Sequence, residues 1–149
     1  MHLAYVDSSN LFIEAQKVSA VASGQAASLW DARQRGVIDL GYRLDLYRLG
    51  EFLHGLGAPL RPSIFGSRTD SNEGLWRHAD AAGFEVILVE RGYGNKEKRV
   101  DTGVVTRICR DAYLYAHPAR DGITLVAGDG DYEPLVRQLV DDGFDVTLL

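Results

Sequence analysis

Residues 123–136 read Ile123-Thr124-Leu125-Val126-Ala127-Gly128-Asp129-Gly130-Asp131-Tyr132-Glu133-Pro134-Leu135-Val136. Ile123 to Val126 is a short, nearly unbroken apolar run, as a strand buried on both faces requires. Leu135, Val136 and Leu139 follow at helical spacing until Gly143 closes the pattern. Phe144 to Leu149 is then a second apolar run. A strand, a polar turn, a helix and another strand make one β-α-β unit, and that unit sets the fold class.

The same alternation runs back to the N-terminus. Leu3-Ala4-Tyr5-Val6, Leu60 to Phe65 and Phe84 to Val89 are equally short apolar runs. Between them Leu46, Leu49, Leu53 and Leu56 recur at helical spacing, stopped by Gly57 and Pro59. Leu75, Trp76 and Ala79 precede Ala81-Ala82-Gly83. Val104, Val105, Ile108, Ala112 and Tyr115 form a stripe that ends before Pro118. Five strands separated by helices predict a parallel α/β sheet, because parallel neighbours need crossovers. The stretch from Val18 to Leu40 reads two ways: the end of the first helix plus an insertion, or a helix pair with a long connection.

A chain of 149 residues, 46% hydrophobic and 25% charged, suits one domain over 1–149 with an adequate core and no need of a disulfide or metal to fold. Its one cysteine, Cys109, excludes an internal disulfide and any multi-cysteine zinc site, and suits a reducing cytoplasm. No apolar run approaches the ~20 residues of a membrane span, and no basic region precedes the first apolar run as in a signal peptide. The net charge of −5 argues at first sight against a nucleic-acid partner, since phosphate is bound by basic groups.

In an open α/β sheet, ligands sit beyond the carboxyl ends of the strands. Asp7-Ser8-Ser9-Asn10 follows the first strand, Gly128-Asp129-Gly130-Asp131-Tyr132 the fourth, and Lys98-Arg99-Val100-Asp101-Thr102 heads a helix. Taken singly, Asp101 and Asp131 read as helix N-caps, and Asp7 as a strand end with Ser9 or Asn10 capping. Taken together the cap reading weakens, because caps do not require the acids to gather at the same end of three elements. Asp101 falls on the core-facing side of its helix, where a lone carboxylate is costly. Residues two apart in an extended Asp-Gly-Asp point the same way, and Gly130 lets the backbone turn. Converging carboxylates call for a hard cation, Mg²⁺ or Mn²⁺, with a bound water as nucleophile for a phosphodiester. His2, His54, His78 and His117 show no ligand spacing and read as solvated or helix-end residues; Cys109 reads as packing. Neither a dinucleotide-binding Gly-x-Gly-x-x-Gly nor a P-loop is present.

The blocks Tyr5-Val6-Asp7-Ser8-Ser9-Asn10-Leu11, Lys98-Arg99-Val100-Asp101 and Leu125 to Val136, with Gly143 and Val146, resemble the NYN domain, a family of the PIN-like superfamily of metal-dependent ribonucleases. The resemblance implies a three-layer α/β/α fold with a five-stranded parallel sheet of order 3-2-1-4-5. It implies catalytic, metal-ligating acids at Asp7, Asp101, Asp129 and Asp131, and a supporting role for Asn10 in orienting the first acid or a phosphate. It implies an RNA substrate. The chain departs from the family pattern at Ala127, where Ser is usual, and at Arg107, where a further acid is expected; Asp111 is one turn beyond. These departures favour a second reading, a PIN-like RNA- or protein-binding module with weakened catalysis.

The loop Arg91-Gly92-Tyr93-Gly94-Asn95-Lys96-Glu97-Lys98-Arg99 is basic, carries one aromatic and precedes Asp101. Arg91, Lys96, Lys98 and Arg99 are candidates for the RNA backbone and Tyr93 for base stacking; an ordinary solvated loop is the alternative. Arg68, after the second strand, is a further phosphate candidate. The sequence leaves a homo-oligomer or a protein partner open. Four carboxylates gathered in one crevice account for most of the net charge of −5, so bulk acidity does not exclude RNA.

Overall fold

A computed structural model of the chain describes residues 1–57, 61–89 and 96–149, apart from the side chains of 96–99. The strands are β1 (His2–Asp7), β2 (Ser63–Ser67), β3 (Glu85–Val89), β4 (Gly122–Val126) and β5 (Asp145–Leu148). The helices are α1 (Ser8–Ala22), α2 (Leu29–Arg35), α3 (Leu46–Gly57), α4 (Glu73–Ala81), α5 (Lys96–Tyr115) and α6 (Glu133–Asp141), with a 3-10 turn at Gly130–Tyr132. All strand pairs are parallel, in the order β3-β2-β1-β4-β5, as the resemblance implied. The order reverses between β1 and β4, so the crevice beyond their carboxyl ends is the expected ligand position.

Strand alternation builds two cores. Tyr5, Phe65, Ile123 and Leu125 face α5 and α6, where Val104, Ile108, Leu135 and Leu139 meet them. Ala4, Val6, Ile64 and Val126 face the opposite layer, against Leu46, Leu53, Trp76 and Ala79. Along α5 the residues Val100, Val104, Ile108 and Ala112 are all buried, the four-residue recurrence of a helix face on a sheet.

Element ends differ from the sequence reading where local chemistry intervenes. β2 begins at Ser63 rather than Leu60, which lies outside the described residues. Pro62 has no N–H for a ladder, and its carbonyl accepts from Glu85 N at 2.9 Å. The last strand starts at Asp145, because Phe144 N closes α6 onto Leu139 O. From Val18 to Leu40 the helix-pair reading holds: α1 runs to Ala22, and α2 is bounded by the Ser28 side chain and by Gly36 at φ 64°. Asp39 ties the connection back to α1, its N–H donating to Gln16 O and its carboxylate accepting from the Ser19 hydroxyl.

His2 is not a solvated histidine. It sits in β1 with Nε2 2.8 Å from Thr124 Oγ1, between Gly57 and Gly122, where a Cβ would stand 2.7 and 2.8 Å from its ring. Burial holds its pKa below the ordinary 6.5. His54, His78 and His117 are exposed. Among the described residues, no helix is long and apolar enough to cross a membrane.

Candidate active site

Asp7 ends β1 and is itself the N-cap of α1, a role the sequence reading had given to Ser9 or Asn10. Its Oδ1 accepts from Ser9 N at 3.1 Å and Asn10 N at 3.2 Å, satisfying two of the free N–H groups at the helix start. Its Oδ2 accepts from the Tyr132 hydroxyl at 2.8 Å. Only 3% of Asp7 is exposed, so these three donors are what a buried carboxylate requires.

The Asp-Gly-Asp segment is not an extended strand. Asp129 has extended dihedrals and caps the 3-10 turn that follows, its Oδ1 accepting from Asp131 N at 3.0 Å. The two acids are therefore brought together by a side-chain-to-backbone turn, not by strand alternation. Gly130 has no positive φ, and a Cβ there would meet no atom within 4 Å; the turn does not depend on glycine. Nor is Asp101 a cap. With α5 starting at Lys96, Asp101 lies inside the helix, half-buried, one position from the core residue Val100.

One carboxylate oxygen from each of Asp101, Asp129 and Asp131 lies within 4.8 Å of the others. Asp7 adjoins this trio through Tyr132, whose hydroxyl also lies 3.3 Å from Asp101 Oδ1. A phenol has one proton, and the shorter contact to Asp7 claims it. Burial, then the charge of Asp7, with Asp129 and Asp131 adding, holds the Asp101 carboxyl above its ordinary 3.8, against the nearby Tyr132 hydroxyl, which lowers it. Burial and the same two carboxylates push the Tyr132 phenol up from 10, so it stays protonated.

Tyr132 is the site residue that sequence reasoning missed. It stood in the quoted motif as an aromatic next to the acids, but its role depends on partners 125 and 31 residues away. Its ring is 1% exposed within the α5/α6 core, so packing fixes its hydroxyl. Asn10 does not touch the acids by its side chain. Its Oδ1 accepts from Gly128 N at 2.6 Å, tying α1 to the loop that carries Asp129.

The basic candidates divide. Arg68 follows β2 at the same end of the sheet as the acids, exposed, with Nε 3.7 Å from Glu73. Arg91 and Tyr93 lie outside the described residues, as do the side chains of Lys96, Lys98 and Arg99. The backbone of 96–99 is the first turn of α5, not loop. Arg107 does not stand in the place of a missing acid at the site. Its guanidinium donates to Glu85 at 2.8 and 3.1 Å and to Asp111, at the amino end of β3. Asp111 in turn accepts from Tyr5 OH at 3.0 Å. Ala127 is buried, its N–H donating to Leu149 O at 3.0 Å.

The trio suits a divalent cation. Carboxylate oxygens are the ligands Mg²⁺ and Mn²⁺ select, and ligands on one ion at ~2.0–2.6 Å sit within about 5 Å of each other. Burial and the neighbouring carboxylate charges raise Asp101, and such an ion would offset those charges. Beside the trio, a cleft of about 380 Å³ is lined by Gly128, Asp129, Tyr132, Val136, Val140 and Leu148 among others.

A parallel α/β sheet with clustered acids at its switch point is the architecture of the PIN-like nuclease superfamily. Within it, the NYN domain matches residues 5–149, and the chain belongs to that family. A crystal structure of a Vibrio parahaemolyticus protein of unknown function is similar in fold, with a TM-score of 0.63, 18% identity, and coverage of 99% of this chain and 78% of that one. No curated protein matches the sequence.

Proposed function

We propose that the protein is a divalent-metal-dependent ribonuclease. The observation that carries this reading is the three carboxylate oxygens of Asp101, Asp129 and Asp131 within 4.8 Å of one another, on a chain of the NYN family. These three residues, with Asp7 beside them, would hold the cation. When bound, Mg²⁺ or Mn²⁺ supplies Lewis acidity toward a phosphodiester and its attacking water. The remaining groups position these acids. The Tyr132 hydroxyl donates to Asp7, and Asn10 holds Gly128 so that the Asp129 turn is presented at the crevice. Arg68, with Arg91, Tyr93, Lys96, Lys98 and Arg99, supplies the RNA contacts in this reading. The substrate is RNA, and the compartment cytoplasmic.

The test is cleavage of single-stranded and structured RNAs with Mg²⁺ or Mn²⁺. Cleavage should disappear with EDTA and in Asp129→Asn, while circular dichroism shows that variant folded. Wild-type protein no more active than Asp129→Asn across the panel would overturn the reading. The alternative, an RNA- or protein-binding module with weakened catalysis, retains Ala127 as its support, since alanine supplies no hydroxyl at that position. Mn²⁺ binding by calorimetry without turnover would favour it.

A further inference from the structure

Among the described residues β5 is the last strand on its side of the sheet. Leu149 N donates to Leu125 O, and Leu149 O accepts from Ala127 N. Strand alternation therefore turns the N–H and C=O of Val146 and Leu148 outward, away from β4. Such an edge is a template for a further strand. The cleft beside Asp129 runs along it, with Val136, Val140 and Leu148 in its lining. Val146 packs into the core on that face of β5, and Leu148, two residues on, shares the face. Val140 and Leu148 are 52% and 53% exposed. An apolar surface thus meets solvent where a sixth strand would send its side chains. The rim is acidic. Asp129, Glu133 and Asp141 line the cleft against one cation, Arg137, which already pairs with Glu133. Asp145 stands exposed on β5 itself, so Asp129, Asp141 and Asp145 are in excess.

We propose that the β5 edge docks an extended, basic segment of a partner protein, paired to Val146 and Leu148, with alternate apolar side chains set against Val140 and Leu148. Main-chain hydrogen bonds along an open edge, with a pocket for every second side chain, are the means by which strand addition binds. Charge selects among the occupants. A second copy pairing through the same edge would bring Asp141 and Asp145 against identical acids, and a nucleic-acid strand would bring phosphates; both are repelled. Lysine or arginine on the incoming segment is attracted. Neither the edge nor the cleft depends on RNA cleavage, so this surface stands apart from the ribonuclease reading.

The probe is the acetylated, amidated hexapeptide Lys-Val-Lys-Leu-Lys-Val, titrated into ¹⁵N-labelled protein with hydrogen exchange read at each amide. Exchange at Val146 and Leu148 is expected to slow several-fold, with Thr147, turned toward β4, as the internal reference. The same peptide N-methylated at every residue keeps its charge and loses its donors, and should not slow them. Asp141→Lys combined with Asp145→Lys should weaken binding of the first peptide several-fold, circular dichroism confirming the fold. Exchange unchanged at saturating peptide overturns the proposal. Resonance changes confined to the amides around Asp101, Asp129 and Asp131 mean capture by the acidic trio without pairing, and overturn it too. A dimer in which Val146 and Leu148 are protected without peptide makes the occupant a second copy, and overturns the basic partner.

Discussion

At the scale of single residues, one phenolic proton organises the acids. Tyr132→Phe removes the donor to Asp7 and leaves a buried carboxylate short of one partner, a loss of about 1–3 kcal/mol to be read from urea denaturation. Asp101 answers to charge in the opposite sense. Its folded pKa is raised, mainly by burial and Asp7, so the folded protein binds its proton more tightly than the unfolded chain. The stability this proton contributes is complete below about 3.8 and is lost as pH rises through the raised value. In chelator at neutral pH, Asp101→Asn should therefore melt higher than wild type, and the difference should vanish at acid pH. A variant that melts lower at neutral pH contradicts this. The acids themselves were legible in the sequence, because each follows a strand or enters a helix beside a core stripe. Tyr132 was not, since its hydrogen bond to Asp7 and its contact with Asp101 exist only once β1, α5 and the turn after β4 have met.

At the scale of elements, close approach sets what can change. Gly66 admits the indole of Trp76 onto β2. With a Cβ 2.2 Å from that ring, Gly66→Ala forces α4 away from the sheet at a cost of about 1–3 kcal/mol, measurable by thermal melting. Gly130→Ala, with open space around its Cβ and an ordinary φ, should lie within about 0.5 kcal/mol of wild type. The glycine in the signature turn is thus expendable, and the one inside a strand is not. Sequence pattern carried the helices well, since Leu46 to Leu56 and Val104 to Ala112 repeat at helical spacing. It placed strand ends less well. Pro62, which cannot donate to a ladder, and Phe144, which packs as the close of α6, are apolar residues serving jobs other than pairing, and hydrophobicity alone does not separate these. The Asp129 turn was misread as extended for a similar reason: the hydrogen bond from Asp131 N to its carboxylate is local chemistry that an alternation rule ignores.

For the molecule as a whole, the two ends of the sheet do different work. Acids collect beyond the carboxyl ends, while Arg107, Glu85, Asp111 and Tyr5 form a polar network toward the amino ends. Arg107→Ala should cost about 1–3 kcal/mol by leaving Glu85 and Asp111 without their shared cation. RNA cleavage per folded molecule should be unchanged at a temperature where the variant is folded; a loss there would return Arg107 to the site. Fold class and strand order were legible from the blocks around Asp7, Asp101 and Asp129. The separation of Arg107 from the acids was not, because spacing along one helix does not say toward which end of the sheet a long side chain reaches.

The hydrogen bond from Tyr132 to Asp7 also has a meaning in time. Its partners are separated by 125 residues, and they meet only when β4 pairs with β1. A chain leaving the ribosome N-terminus first carries Asp7 from the outset but cannot assemble the crevice until the segment holding Asp129, Asp131 and Tyr132 has emerged and docked. Under the ribonuclease reading proposed above, a partly synthesised chain therefore cannot cut RNA before β4 has paired with β1. The acidic crevice is a late product of folding, complete only when segments far apart in the chain have docked.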